Sequence, residues 1–143
     1  MAIKQMSVFV DNRKGALAGM LKLLADNHID LRALSIADTA DFGILRFIAD
    51  DNKKAAEILA ADGHICAQTD VVAACLNDQP GALAAQLAVL ADANIDVEYL
   101  YAFVTTVTNQ ACVVLRVADN AAAEAALAAA GVQLLTEAAI AAL

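Results

Sequence analysis

The 143-residue chain has the usual length of one compact domain, or of two small units fused around a shared core. Hydrophobic residues make up 61% of it with no Trp, so burial must rest on Ala, Leu, Val and Ile, a composition suited to close packing of helices on a sheet. The net charge of −8 argues against a nucleic-acid partner, which would need a basic face to neutralise phosphates. It leaves room for a small zwitterion, because a local site can differ from the global field.

Taken in chain order, Lys4 to Val10 is short, apolar and β-rich and runs into the polar loop Asp11-Asn12-Arg13-Lys14-Gly15, so it reads as a first strand. Leu17, Leu21 and Leu24 then recur at helical spacing and give a helix with one apolar stripe. Leu31 to Ala37 and Phe42 to Ala49 form a strand pair around Asp38-Thr39-Ala40-Asp41. Asp51-Asn52 supplies N-cap residues for a second helix, and Gly63 stands just past its end. A short strand near Ile65 to Thr69 closes the unit.

The same order then repeats. Val71 to Leu76 is a first strand leading into Asn77-Asp78-Gln79-Pro80-Gly81, and Leu83, Leu87 and Leu90 stripe a helix. Val97 to Val104 pairs with Ala111 to Ala118 around Thr108-Asn109-Gln110, Asp119-Asn120 caps the next helix, and Gly131 ends it. A short strand near Val132 to Leu135 and a helical turn over Thr136 to Ile140 finish the chain. A shift of 66 positions superimposes Val10–Ile36 on the second copy with 11 identities in 27 positions, far above chance even for an Ala-rich chain. The fold class is therefore α+β: two ferredoxin-like βαββαβ units, 1–69 and 70–143, with antiparallel sheets carrying helices on one face. Val97, Tyr99, Tyr101 and Phe103 alternate with Leu100 and Ala102, so both strand faces are apolar, and the helix-free face is expected to pack on another sheet, most simply in a homodimer.

Little in the sequence suggests covalent chemistry. The two histidines, His28 and His64, read as helix-terminus residues, with Asn94 as the counterpart of His28. Cys66, Cys75 and Cys112 are odd in number and widely spaced, which fits neither a disulfide framework nor a metal site, and no cofactor is expected. Dinucleotide and Walker-type glycine motifs are missing. The longest uncharged stretch, Tyr99 to Leu115, is interrupted by Thr105, Thr106, Thr108, Asn109 and Gln110 and reads as a hairpin, not a membrane span. With no secretory pattern at Met1 to Gln5, a cytoplasmic location is expected. Arg46 and Arg116 are matched mid-strand charges that call for a partner, and Glu98 or Arg32 could take part in such pairing.

The two strand-to-helix loops carry the stronger signal. Unpaired N–H groups and the helix dipole favour a carboxylate there, while Asp11, Asn12, Asn77 and Asp78 offer oxygens that could take an ammonium group or merely cap the helix. Physical reasoning alone leaves ligand site and plain cap balanced.

The segments Asp78-Gln79-Pro80-Gly81-Ala82-Leu83, Ala93 to Phe103 and Ala33 to Arg46 resemble tandem ACT-domain proteins, most of all free-standing bacterial two-ACT proteins, over nearly the whole chain. That resemblance implies binding of a free amino acid at Asn12, Arg13, Lys14, Gly15, Ala16 and Leu17, and at Asn77, Asp78, Gln79, Pro80, Gly81, Ala82 and Leu83, with help from a neighbouring strand. Lys14 stands where the second copy has Pro80, so the two loops are not equivalent. The implied function is a non-catalytic, amino-acid-binding regulator of amino-acid metabolism, as a homodimer or attached to an amino-acid-metabolic enzyme. A structural assembly module and an enzyme on the same sandwich, such as an acyl-phosphate hydrolase, are the competing readings, the last without a nucleophile or acid–base set to support it.

Overall fold

The computed structural model describes residues 2–38, 41–104 and 110–143. The expected turns around Thr39-Ala40 and Thr108-Asn109 lie outside the described residues. The chain clusters into two compact units, Lys4–Thr69 and Asp70–Leu143, the latter together with the first residues of the chain.

In the first unit β1 (Ile3–Asp11) leads to α1 (Ala16–Asp26), the hairpin strands β2 (Leu31–Asp38) and β3 (Phe42–Ala49), and α2 (Asn52–Ala61). β3 lies between β2 and β1, antiparallel to both, with Val8 opposite Leu45 and Leu34 opposite Phe47. Alternation along the strands decides which side is buried under helix. Met6, Val8 and Val10 of β1 and Leu45, Phe47 and Ala49 of β3 face Met20 and Leu24 of α1 and Ala55 and Leu59 of α2. All are 4% exposed or less, and at about 25 cal/mol per Å² of buried apolar surface this layer is the unit's main source of stability.

The second unit repeats the plan with β4 (Cys66–Asn77), whose residues to Thr69 still count with the first unit, then α3 (Ala82–Asp92), β5 (Val97–Ala102), β6 (Gln110–Val117), α4 (Asn120–Ala129) and a terminal turn of helix α5 (Glu137–Ala141). β6 pairs with both β4 and β5. Val72 and Ala74 of β4 and Val113, Leu115 and Val117 of β6 face Leu90 of α3 and Ala123 and Leu127 of α4. Helices therefore cover one face of each three-stranded ladder, as expected.

Two expected elements are altered. The strands read separately at Ile65 to Thr69 and Val71 to Leu76 are one continuous strand, β4, because no turn residue interrupts Gln68-Thr69-Asp70-Val71. The last strand near Val132 to Leu135 shrinks to an isolated bridge between Ala74 and Leu134, held by Cys75 N–H to the Gln133 carbonyl at 2.8 Å and Leu135 N–H to the Ala73 carbonyl at 2.9 Å. It stops there because Thr136 turns the chain into α5, its hydroxyl accepting from the Ala139 N–H.

The helix ends explain several sequence features. Gly63 and Gly131 adopt φ of 84° and 80°, which lets the next N–H groups, of His64 and Val132, reach back to the Leu59 and Leu127 carbonyls. At the ends of α1 and α3 the same left-handed turn is made by His28 and Asn94, at φ 60° and 59°, followed by Ile29 N–H to Leu24 and Ile95 N–H to Leu90. His28 thus has a backbone role at a helix terminus. At the other end, Asp51 and Asp119 cap α2 and α4 by accepting from the N–H groups of Lys54 and Ala122. Asp119→Ala should therefore cost about 1 kcal/mol, read as a lowered midpoint in urea denaturation at unchanged slope.

Candidate functional site

α1 and α3 begin differently from the other helices. Each starts on a glycine in the left-handed region, Gly15 at φ 83° and Gly81 at φ 87°, and in neither does a side chain accept from the first-turn N–H groups. The plain-capping reading of Asp11, Asn12, Asn77 and Asp78 is thereby overturned. Its physical reason is a tight turn before the helix: Arg13 N–H bonds the Asp11 carbonyl at 2.9 Å and Ala16 N–H bonds the Arg13 carbonyl at 3.2 Å. The second loop matches it, with Gln79 N–H to Asn77 at 2.8 Å and Ala82 N–H to Gln79 at 3.2 Å. That turn sets the acidic and amide side chains apart from the helix start, leaving a dipole end without a side-chain acceptor.

A cavity lies beside each of these helix starts, built from equivalent positions in the two units. In the first, of about 250 Å³, the wall is the end of β1 (Phe9, Val10, Asp11), Arg13, Ala16 and Met20 on α1, and the Gly63-His64-Ile65 stretch. In the second, of about 330 Å³, it is the end of β4 (Cys75, Leu76, Asn77), Ala82 and Gln86 on α3, Gln110, and Gly131-Val132-Gln133. Both fall near the lower end of the size range for small-ligand sites, right for a molecule as small as an amino acid.

The walls differ in chemistry. The first cavity carries a charged pair, Arg13 Nε with Asp11 Oδ2 at 3.3 Å, and its wall includes His64, whose Nε2 lies 3.0 Å from Asp62 Oδ2. The second is lined by no Asp, Glu, His, Lys or Arg. Its polar groups are amides, with Gln110 Nε2 donating to Gln133 Oε1 at 3.2 Å and Gln86 Nε2 donating to the Cys75 carbonyl at 2.7 Å. Gln86 is buried and stands where α1 has the apolar Met20, one turn along from Ala82.

Of the residues marked by the sequence, Arg13 and Ala16 line the first cavity and Asn77 and Ala82 the second. Asn12, Lys14, Asp78, Gln79 and Pro80 are exposed on the loops, Gly15 and Gly81 shape the turns, and Leu17 and Leu83 pack instead against the hydrophobic layers. Met20, Gln86, Gln110 and the segments after Gly63 and Gly131 were not singled out in the sequence. The shift of 66 positions that aligns the loops also sets Met20 against Gln86, the one visible signal for them.

Other candidates lie elsewhere. Arg116 pairs with Glu98 at 3.2 Å and donates to the Val117 carbonyl at 2.8 Å, a structural arrangement on the sheet. Tyr99 and Tyr101 stack at 6.5 Å and line neither cavity. Cys75 and Cys112 face one another across β4 and β6, sulfurs 2.6 Å apart, and burial together with the neighbouring thiol pushes Cys112 up to about 12. Among the described residues no group of three His, Cys, Asp or Glu side chains could hold a metal ion, and no helix is long and apolar enough to cross a membrane.

Two units of βαββαβ order, each with a glycine-opened helix beside a cavity, can be compared with known proteins. A family model described as an ACT domain pair matches residues 1–143. The chain belongs to the ACT domain pair family. ACT domains are regulatory, ligand-binding modules, often for amino acids, and typically non-catalytic. The pair is similar to the protein BT0572 from Bacteroides thetaiotaomicron, at 36% identity over 100% of this chain and 98% of that one, with a TM-score of 0.92. It also shares its fold with the regulatory subunit of aspartate kinase from Thermus thermophilus, at 18% identity over 90% of each chain and a TM-score of 0.67. The regulatory subunit of aspartate kinase from Thermus flavus matches at 17% identity over 90% of this chain and 92% of that one, with a TM-score of 0.59. No curated protein matches the ACT pair.

Gly81 and Gly19 should respond in opposite senses to alanine. A Cβ at either meets nothing within 4 Å, so only the backbone decides. Gly81→Ala, forced to φ 87°, should lose about 1–2 kcal/mol, whereas Gly19→Ala inside α1 should gain about 0.8–1 kcal/mol, both read from urea denaturation.

The raised Cys112 thiol gives a pH signature. The folded chain holds this proton more tightly than the unfolded one, so its contribution is complete below the ordinary thiol value of 9.0 and is lost as pH rises from there towards about 12. Cys112→Ala should flatten the alkaline fall of the denaturation midpoint in that window.

Proposed function

We propose that this ACT pair is a non-catalytic regulatory protein of amino-acid metabolism that binds a free amino acid beside the first helix of a unit. The observation that carries the reading is the recurrence, at matched positions in both units, of a helix start without a side-chain cap next to an amino-acid-sized cavity. Exposed helix N–H groups favour a carboxylate, and Asp11 in one unit and Asn77 in the other offer oxygens to the ammonium end. Family membership supports regulation over catalysis, as does the shared fold with regulatory subunits of aspartate kinase.

Regulation requires that ligand favour one arrangement of the protein over another, because a ligand shifts an equilibrium only by its differential affinity. The partners that fit are a second copy of the chain, giving a homodimer, and an enzyme of amino-acid metabolism. Phe9 and Phe42 support such an assembly: they lie on the face of the first sheet away from its helices, ring centroids 5.4 Å apart, and are 49% and 37% exposed. Light scattering at micromolar concentration should report a dimer, and a strict monomer would remove the homodimer from the reading.

A thermal-shift screen against the common amino acids tests the core of the proposal. A ligand present at 100 times its dissociation constant should stabilise the fold by about 2.7 kcal/mol. If a folded sample shows no shift with any amino acid at millimolar concentration, the reading fails.

A further inference from the structure

We infer that the second cavity is selective for an amino acid with a carboxamide side chain, and that Gln86 is the residue that reads the amide. This rests on the amino-acid-binding reading and deepens it for one of the two units.

Gln86 is 5% exposed, on the buried face of α3 and in the wall of the cavity. Its Nε2 is committed to the Cys75 carbonyl at 2.7 Å, while its Oε1 is buried without a hydrogen-bond partner. The amide cannot be turned over to relieve this. Exchange of its two ends would set an oxygen against the Cys75 carbonyl oxygen, so the free acceptor is fixed by its neighbour. A buried acceptor left unpaired is unfavourable, and because Gln86 itself stands in the wall of the cavity, an occupant that carries a donor can relieve it by a small turn of the side chain. The matched residue in the first unit, Met20, makes no such demand.

The kind of donor follows from the rest of the wall. An ammonium group held here would need a carboxylate to offset its desolvation, and no Asp or Glu lines this cavity. A carboxylate end would bring an acceptor towards an acceptor. A carboxamide meets both requirements: its N–H can donate to Gln86 Oε1, and its carbonyl can accept from Gln110 or Gln133, whose amides lie at the same cavity. The charged α-ammonium and α-carboxylate then stay towards the Asn77–Gly81 loop and the uncapped start of α3, where solvent and N–H groups are within reach.

Isothermal titration of the full chain with L-glutamine, L-asparagine, L-glutamate, L-aspartate and L-methionine tests the inference. One of the two amide amino acids should bind at least about tenfold more tightly than its carboxylate isostere, the difference between a donor and an acceptor placed against Gln86. Gln86→Met, which installs the residue that the fold already accommodates at position 20, should remove that preference, whereas Met20→Leu in the other unit should leave it intact. Equal affinity for glutamine and glutamate and for asparagine and aspartate, or a preference that survives Gln86→Met, would overturn the assignment while leaving amino-acid binding standing. Binding of no amino acid at millimolar concentration would sink both. Should Gln86→Met not fold, the isostere comparison on the unmodified chain still decides the selectivity.

Discussion

The left-handed backbone at Gly15 and Gly81 governs what each unit can do. A helix normally meets its first N–H groups with a side-chain oxygen, as Asp51, Asp119 and Thr136 do here. At α1 and α3 the chain instead makes a tight turn and enters the helix through a residue that only glycine adopts without strain. The donors at that end are left to something other than a cap. Because the same helix is anchored by Leu24 or Leu90 in the hydrophobic layer, its uncapped start is held at a fixed place beside the strand end and the segment after the next helix. The cavity is the space those three elements leave.

Duplication has preserved this frame and changed its lining. Arg13, Met20 and His64 in the first unit correspond to Gln79, Gln86 and Val132 in the second. One cavity is therefore lined by Asp11 and Arg13 together with the apolar Met20, and the other by neutral amides, one of which has a buried acceptor unused. The first unit also carries the exposed Phe9–Phe42 pair, on the face of its sheet away from the helices.

Much of this was legible in one sequence because the signals are local. The period of the apolar residues marks each helix and strand, Asp51 and Asp119 announce helix starts, and Gly63 and Gly131 announce helix ends. Repetition doubled every one of these signals. The errors arose where tertiary pairing overrides local pattern. Ile65 to Leu76 looked like two strands because a unit boundary was expected inside it, yet nothing in those residues breaks an extended chain. Val132 to Leu135 looked like a full strand, yet only two backbone hydrogen bonds tie it to β4, while Val132 and Leu134 pack against the hydrophobic layer and Leu135 is buried.

By itself the sequence determined the element order, the duplication and the position of the loops, because periodicity, caps and glycine punctuation act over a few residues. It did not single out Gln86, because nothing local says that a glutamine on a helix face is buried. Only the tertiary structure decided that Asp11, Asn12, Asn77 and Asp78 do not cap their helices, since the tight turn that holds them off is a backbone property. Only it brought Cys75, Gln86 and Gln133 around one cavity, because residues 11 and 58 positions from Cys75 meet there through strand and helix packing. A hydrogen bond to a backbone carbonyl, and an amide oxygen left without one, exist only once the chain has folded.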